Sequence, residues 1–204
     1  MLLVRSDDVC SDDYERLFVV ITTINPVGHR HTRDEILRGA LATAFDHGLS
    51  RLTYGRVARH LDISDRTVVY YFPTKDDLIG DVVMAMALEL QATLAEAFTD
   101  TVADHVELTA AAWPVLTSPD ADRVFALFFE ANGLAAIGRD PYATLVPALV
   151  ETWIAWAAEF IDGTATERRV EAETAIAVID GLLLLRNLGG PDAADRAAHR
   201  LGIR

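Results

Sequence analysis

The spacing of apolar residues along the chain predicts a protein built from helices. From residue 32 onward, apolar side chains recur every three or four positions, which places them on one face of a helix. Thr32 and Glu35 form a capping box before the first such segment, and Gly48 ends it. Further helices are expected over about residues 74–98, 106–116, 121–138, 142–161 and 166–188. The expected fold class is therefore all-α.

A shorter pattern between residues 53 and 75 predicts a helix-turn-helix. Thr53 can cap a first helix, and Asp62 lies in the turn that follows, where Asp tolerates a left-handed backbone. Ser64 can cap a second helix over about residues 65–71, which a proline then ends. In proteins with this motif the second helix enters the major groove of DNA. DNA binding is therefore the first function that the sequence suggests.

The order of features around this motif matches a known family. A first helix ended by glycine precedes the helix-turn-helix, and an F-x-x-K sequence leads into a fourth helix. The matching residues are Ile36, Leu37, Ala40, Phe45, Gly48, Thr53, Val57, Ala58, Ile63, Ser64, Thr67, Phe72, Lys75 and Leu78. Together they resemble the TetR family of bacterial transcriptional regulators. The resemblance implies a three-helix DNA-binding domain followed by a helical effector-binding and dimerisation domain.

Two positions depart from the family pattern. Asp62 stands where the family commonly has glycine, a change that the turn can accommodate. Val69 stands where the family usually has an aromatic residue that contacts phosphate, so that role is not assigned to Val69. Tyr70 and Tyr71 follow directly and can supply the phenol instead.

The distribution of charge supports a division of the chain into parts. Its net charge of -13 has the wrong sign for a nucleic-acid binder. Residues 30–80, however, hold eight Lys or Arg and seven Asp or Glu, so they carry +1 and the remainder -14. We expect a leader at residues 1–31, a DNA-binding domain at 32–78, and a ligand-binding and dimerisation domain at 79–204.

Several other classes of protein find little support in the sequence. Because no run of eighteen apolar residues appears, no membrane span is expected, and the acidic N-terminus argues against a signal peptide. The single cysteine, Cys10, fits a reducing cytoplasm. His29 and His31 form a His-x-His pair without a recognisable third ligand, so neither a metal nor a cofactor is expected. No catalytic motif is present, and an enzyme is not expected.

Arg66 is the best candidate for base recognition because its guanidinium can bridge O6 and N7 of guanine. The alternatives are a phosphate contact or an ion pair with Asp62 or Asp65. Thr67 can meet a thymine methyl group, and Asp65 can accept from cytosine N4. Ser64 begins the recognition helix and belongs to the same surface.

The DNA backbone is expected to be held by hydroxyl groups, a charge and helix N-termini. The residues proposed for this role are Thr53, Tyr54, Tyr70, Tyr71 and Lys75. At least one of the two adjacent tyrosines is expected on DNA. The alternative is that they pack beneath the fourth helix.

The last long helix is apolar on every side between residues 175 and 185, where Asp180 is the only charged residue. Such a helix is buried all round, so one side is expected to meet its own core and another a second subunit. Gly181 would permit close approach. The resemblance implies a homodimer formed by the last two long helices.

Aromatic residues of the second domain are candidates for an apolar effector cavity, although aromatics at helical spacing are more often ordinary core. The candidate residues, with two asparagines to orient a ligand, are Trp113, Phe125, Phe128, Phe129, Asn132, Trp153, Trp156 and Asn187. Asn132 lies at the edge of the apolar face, where a polar group needs a partner. Glu130 falls opposite that face and is expected to be solvated.

These patterns lead to one expected function with two alternatives. The protein is expected to be a ligand-responsive homodimeric repressor that binds a palindromic operator and is released by a small apolar effector. A DNA-binding protein with a filled core and no effector is the first alternative, and a helical enzyme is the second.

Overall fold

The computed structural model describes residues 31–203, and apart from an isolated parallel bridge between Val102 and Ile161, the regular structure of these residues is helical. The leader prediction, Cys10 and His29 lie outside the described residues. The α-helices are α1 (Arg33–His47), α2 (Tyr54–Leu61), α3 (Asp65–Tyr71), α4 (Lys75–Ala95), α5 (His105–Leu116), α6 (Pro119–Ala136), α7 (Tyr142–Ala157), α8 (Ala165–Gly189) and α9 (Pro191–Arg200). Short 3-10 turns occupy Leu49–Arg51 and Ala158–Phe160. The predicted all-α fold is confirmed.

Polar caps fix where the helices of the DNA-binding head begin, as the sequence predicted. Thr32 and Thr74 each form a complete capping box, with Glu35 and Asp77 respectively. The turn between α2 and α3 is made by Asp62, whose backbone adopts the left-handed conformation with φ 54° and ψ 47°. The aspartate therefore takes the conformation for which glycine is most often used.

The head, α1 to α3 with the start of α4, is held by a small apolar core. Ile36 of α1, Val57 of α2 and Phe72, which directly follows α3, are each fully buried. The Arg33 guanidinium lies 4.8 Å from the centre of the Phe72 ring and also pairs with Asp81 of α4. These contacts fix the orientation of the recognition helix relative to α4.

Helix α4 joins the head to the rest of the protein. It ends at Ala95 rather than at about residue 98, and the domain boundary expected at residue 78 lies inside it. Among the described helices it is the one long and apolar enough to cross a membrane, with a mean hydropathy of 1.5. Seven of its side chains, from Leu78 to Leu94, are buried against other helices, so this helix forms part of the core of the protein.

The second domain surrounds α8, which contacts α5, α6, α7 and α9. Arg186 of α8 donates to both carboxylate oxygens of Asp122, at 2.7 and 3.2 Å, and so ties α8 to the start of α6. Helix α9 was not predicted, because its buried face consists of two small residues, Ala194 and Ala198. Pro191 occupies its first turn, where the missing N–H costs nothing.

Candidate DNA-binding surface and effector cavity

The recognition helix α3 presents one buried face and one exposed face. Val68 is completely buried, whereas Arg66, Val69 and Tyr70 are exposed. Ser64 caps the helix: its hydroxyl accepts from the Thr67 backbone N–H at 3.3 Å and lies 2.9 Å from the Thr67 hydroxyl. This cap satisfies a backbone donor at the start of α3 and stabilises the helix.

Arg66 is the exposed cation in the first turn of this helix. Among the described residues it forms neither of the ion pairs considered as alternatives, with Asp62 or with Asp65. Asp65 lies instead against α2, because a Cβ atom added at Gly55 would be 3.4 Å from its carboxylate. The guanidinium is therefore available to a ligand, while Asp65 is positioned beside the N-terminus of a neighbouring helix, where the helix dipole favours it.

Two of the tyrosines expected on the DNA backbone are placed inside the head. The Tyr54 hydroxyl is buried and has no hydrogen-bond partner among the described residues, so in this conformation it cannot reach a phosphate. Burial raises the pKa of Tyr54 for the same reason. The Tyr71 hydroxyl donates to the His31 carbonyl at 2.7 Å, which ties α3 to the start of α1. The predicted DNA contact through these two phenols is not supported by this geometry.

Tyr70, in contrast to Tyr54 and Tyr71, lies on the exposed face of α3, with 56% of its surface exposed. Its ring packs edge-to-face on Tyr71 at 5.0 Å, which limits its movement. Thr53 is exposed at the start of α2, and Lys75 is half-buried in the first turn of α4. Thr53 and Lys75 lie at the N-termini of helices, and Tyr70 is an exposed phenol on the recognition helix itself. Groups of both kinds commonly contact phosphate.

An apolar cavity of about 70 Å³ lies in the second domain. Helix α4 contributes Met86, Ala87, Leu90 and Leu94 to its wall, so the linking helix is part of the cavity. The other lining residues are Leu116, Val124, Phe125, Phe128, Leu149, Val150, Trp153, Ile176, Ile179 and Asp180. The cavity thus touches five helices, α4 to α8.

Three of the eight predicted effector residues, Phe125, Phe128 and Trp153, line this cavity. Trp113, Phe129 and Trp156 pack in the apolar cluster around it. Asn132 is half-buried, and its Oδ1 has no hydrogen-bond partner among the described residues. Asn187 is exposed on α8 and is not placed at the cavity.

Asp180 is the one charged residue among those lining the cavity, and the sequence analysis did not assign it to an effector site. It is mostly buried, and burial raises its pKa to about 6. The signal was visible as a single acidic residue within a helix segment that is apolar on every side, but the sequence alone could not show which side faces the cavity.

Glu130 of α6 connects the second domain to the head, and its predicted solvation is wrong. Its carboxylate accepts from the backbone N–H groups of Leu49 at 2.7 Å and Ser50 at 2.8 Å, at the start of the turn between α1 and α2. Burial alone would raise the pKa of Glu130, but these hydrogen bonds outweigh it and lower the pKa. The helical wheel failed here because it describes packing within one domain, whereas this face of α6 meets the head.

Gly48 is required for this contact. Its φ of 86° disfavours any side chain, and an added Cβ would lie 2.8 Å from the Glu130 carboxylate. Nearby, the Arg123 guanidinium lies 4.9 Å from the centre of the Phe45 ring of α1. Helix α6, which also lines the cavity, therefore contacts the head at two points.

Replacing Glu130 with alanine is expected to lower the free energy of unfolding by about 2 kcal/mol, because two backbone donors lose a charged acceptor that is only partly exposed to water. The loss should be full above pH 4.5, the ordinary pKa of the carboxyl group, and should shrink as the pH falls through the lower pKa of the folded state. Urea denaturation of Glu130→Ala and of the exposed control Glu159→Ala measures it. Equal stability of the two variants would contradict the prediction.

The fold and the exposed recognition helix define a helix-turn-helix DNA-binding protein with a helical second domain. Residues 36–82 match the model of the family described as bacterial regulatory proteins, tetR family. Residues 36–82 therefore form a DNA-binding domain of the kind found in TetR-family transcriptional regulators. No curated protein sequence matches the chain.

Solved structures of transcriptional regulators have a similar fold. A transcriptional regulator from Rhodococcus sp. Rha1 is 20% identical with a TM-score of 0.66, over 82% of this chain and 92% of its own. A transcriptional regulator from Saccharomonospora viridis in complex with choline is 19% identical with a TM-score of 0.65, over 83% and 93%. The multidrug binding protein EbrR complexed with proflavin is 23% identical with a TM-score of 0.62, over 83% and 96%.

Proposed function

We propose that the protein is a homodimeric repressor that binds a palindromic operator and is released by a small, largely apolar effector in the second-domain cavity. The observation that carries this proposal is the continuity of α4, which begins at Lys75 in the head and lines the cavity through Met86, Leu90 and Leu94. A change in the cavity wall therefore acts on the same helix that fixes the head. Such a regulator would act in the cytoplasm.

Base recognition is assigned to Arg66, with a contribution from Thr67. The absence of an ion pair to either nearby aspartate within the described residues supports Arg66 as the contact to guanine. Thr53, Ser64, Tyr70 and Lys75 would hold the phosphates on either side. Asp65, Tyr54 and Tyr71 would act indirectly, by fixing the head.

The Arg66→Ala variant is expected to lose about 1 to 3 kcal/mol of binding free energy on operator DNA, and to lose its preference at one base pair in each half-site. The operator would first be selected from random DNA by the wild-type protein, and affinities would be measured by fluorescence anisotropy. Arg196→Ala, at an exposed position of α9, removes the same charge far from the head and serves as control. An equal loss by Arg66→Ala on every sequence would make Arg66 a phosphate contact.

Dimerisation is assigned to α7 and α8. Ala177, Gly181, Leu184 and Leu188 are all exposed on α8, at spacings of four, three and four residues, which places them in one stripe. Leu188 is 77% exposed, which is unusual for a leucine on a surface that contacts only solvent. An apolar stripe of small and large residues supports close packing against the same stripe of a second copy, which gives a twofold interface.

Effector release follows from the geometry of a dimer on DNA. Half-sites of a palindrome lie about 34 to 36 Å apart, or a multiple of that distance, so two heads at another spacing cannot bind both. Ligand sites usually have volumes of about 300 to 1,000 Å³. Because the cavity is much smaller than that, an effector would have to displace its wall, including α4, and thereby move the head.

The small volume also favours the second candidate function, a DNA-binding regulator with a filled core and no effector. Native mass spectrometry of the purified protein distinguishes the two. A co-purified small molecule, or a ligand found by screening that lowers operator affinity, supports the effector. A protein whose operator affinity no compound changes supports the filled core.

A further inference from the structure

We propose that the cavity selects an organic cation, an amine or quaternary ammonium compound with an apolar or aromatic body, and that Asp180 is its counter-ion. This inference rests on the proposed effector function and deepens it. The cavity has apolar walls with one carboxylate among its lining residues, an arrangement suited to a positive charge attached to a hydrophobic group.

Asp180 is the only residue with an ionisable side chain among those that line the cavity. The other lining residues are aliphatic or aromatic, so a neutral polar ligand would find few partners for hydrogen bonds. An anionic ligand would meet a like charge in a medium of low polarity, which is strongly unfavourable. The lining therefore discriminates by charge, in the order cation, neutral apolar compound, anion.

The carboxylate has no partner within the part of the chain that the structure describes. No hydrogen bond or ion pair engages Asp180, and burial is the one cause of its raised pKa, with no neighbouring charge contributing. Since the pKa is raised only to about 6, the group is mostly ionised at pH 7.5. A buried carboxylate without a partner is unfavourable, and a bound cation would relieve that cost.

The aromatic side chains of the cavity suit the same ligand. Phe125, Phe128 and Trp153 line it, and Trp153 packs edge-to-face on Trp156 at 5.3 Å, which holds the indole in place. The faces of aromatic rings carry negative electrostatic potential and attract ammonium groups, tryptophan most strongly. The carboxylate and the rings therefore favour the same charge.

A surface groove of about 330 Å³ adjoins the cavity and shares Leu90 and Val124 with it. Its acidic residues are Glu89 and Asp120, and its one basic residue, Arg123, is already engaged 3.7 Å from Asp46. In residues 81–203, nineteen Asp or Glu stand against seven Lys or Arg, which favours a negative field around the groove. Cations would be drawn to this groove.

The test compares two probes of nearly identical shape. Benzyltrimethylammonium carries a positive nitrogen where neopentylbenzene has a carbon atom. Binding of each to the 204-residue protein is measured at pH 7.5 by calorimetry and by intrinsic tryptophan fluorescence, and release of operator DNA is measured in parallel. The variants are Asp180→Asn, which keeps the shape and removes the charge, and Asp192→Asn, which removes one charge at an exposed position of α9.

The wild-type protein and Asp192→Asn should bind the cation at least about tenfold more tightly than the neutral probe. The Asp180→Asn variant should lose that preference. Thermal melting establishes that Asp180→Asn is folded. The inference is overturned if Asp180→Asn binds the cation as tightly as the wild type. It is also overturned if the neutral probe alone binds and releases DNA, and in that second case the proposed effector function stands. If neither probe binds and operator affinity never changes, the inference fails together with the proposed effector function.

Discussion

The Gly181→Arg variant is expected to sediment as a monomer and to bind operator DNA at least about a hundredfold more weakly than the wild type, because one head alone loses the gain from binding two linked half-sites. Within one protomer the substitution causes no steric clash at Cβ, since a Cβ atom added at Gly181 meets no atom within 4 Å. Arginine also favours a helix more than glycine does. The damage would arise only where a partner covers this face, because burying an unpaired charge costs several kcal/mol, on the order of 3 to 5.

Gly133→Arg is the matched control for this experiment. Gly133 is an exposed glycine within α6, and an added Cβ there also meets nothing within 4 Å. That variant should remain dimeric and bind operator normally. A Gly181→Arg protein that stays dimeric would locate the interface on another face.

The Asp180→Leu variant is expected to be more stable than the wild type by about 3 kcal/mol at pH 8. The reason is that folding raises the pKa of the Asp180 carboxyl from 3.8 to about 6. Because the folded-state pKa is raised, the unfolded chain releases its proton first, and the wild type loses stability as the pH rises from 3.8 to about 6. Above that range the difference between the two proteins should be constant. Below it, the ionisation part of the difference should vanish.

Urea denaturation at several pH values measures this gain. Asp192→Leu changes an exposed carboxylate and should leave stability within about 0.5 kcal/mol at every pH. A difference between Asp180→Leu and the wild type that does not grow between pH 4 and pH 8 would show that the carboxylate finds a partner in the free protein. A buried charge that lowers stability is the pattern expected of a functional residue.

The head could be predicted from the sequence because its signals are local. Thr32, Thr53, Ser64 and Thr74 cap helices within three residues of themselves, and the turn at Asp62 is set by the backbone preference of a single residue. Such features depend on neighbours in the chain, which the sequence displays directly.

The side-chain roles that the sequence missed depend on contacts between distant residues. Glu130 accepts from residues 80 and 81 positions earlier, and Tyr71 donates to a carbonyl 40 positions earlier. A helical wheel cannot contain such contacts. Helix α9 was missed for a different reason, since alanines form its buried face and the charged residues between them made the segment resemble a polar tail.

The continuity of α4 bears on how this protein can be recombined with its relatives. A chimera joined at residue 78 would cut a helix that runs from Lys75 to Ala95 and would pair one protein's head with another's continuation of the same helix. A junction after Ala95 keeps that helix whole. It replaces Glu130, which accepts from Leu49 and Ser50, with the residue that the other protein has at that position. Exchange of specificity would therefore succeed most readily when α4 travels with the head and an acidic residue is retained at position 130.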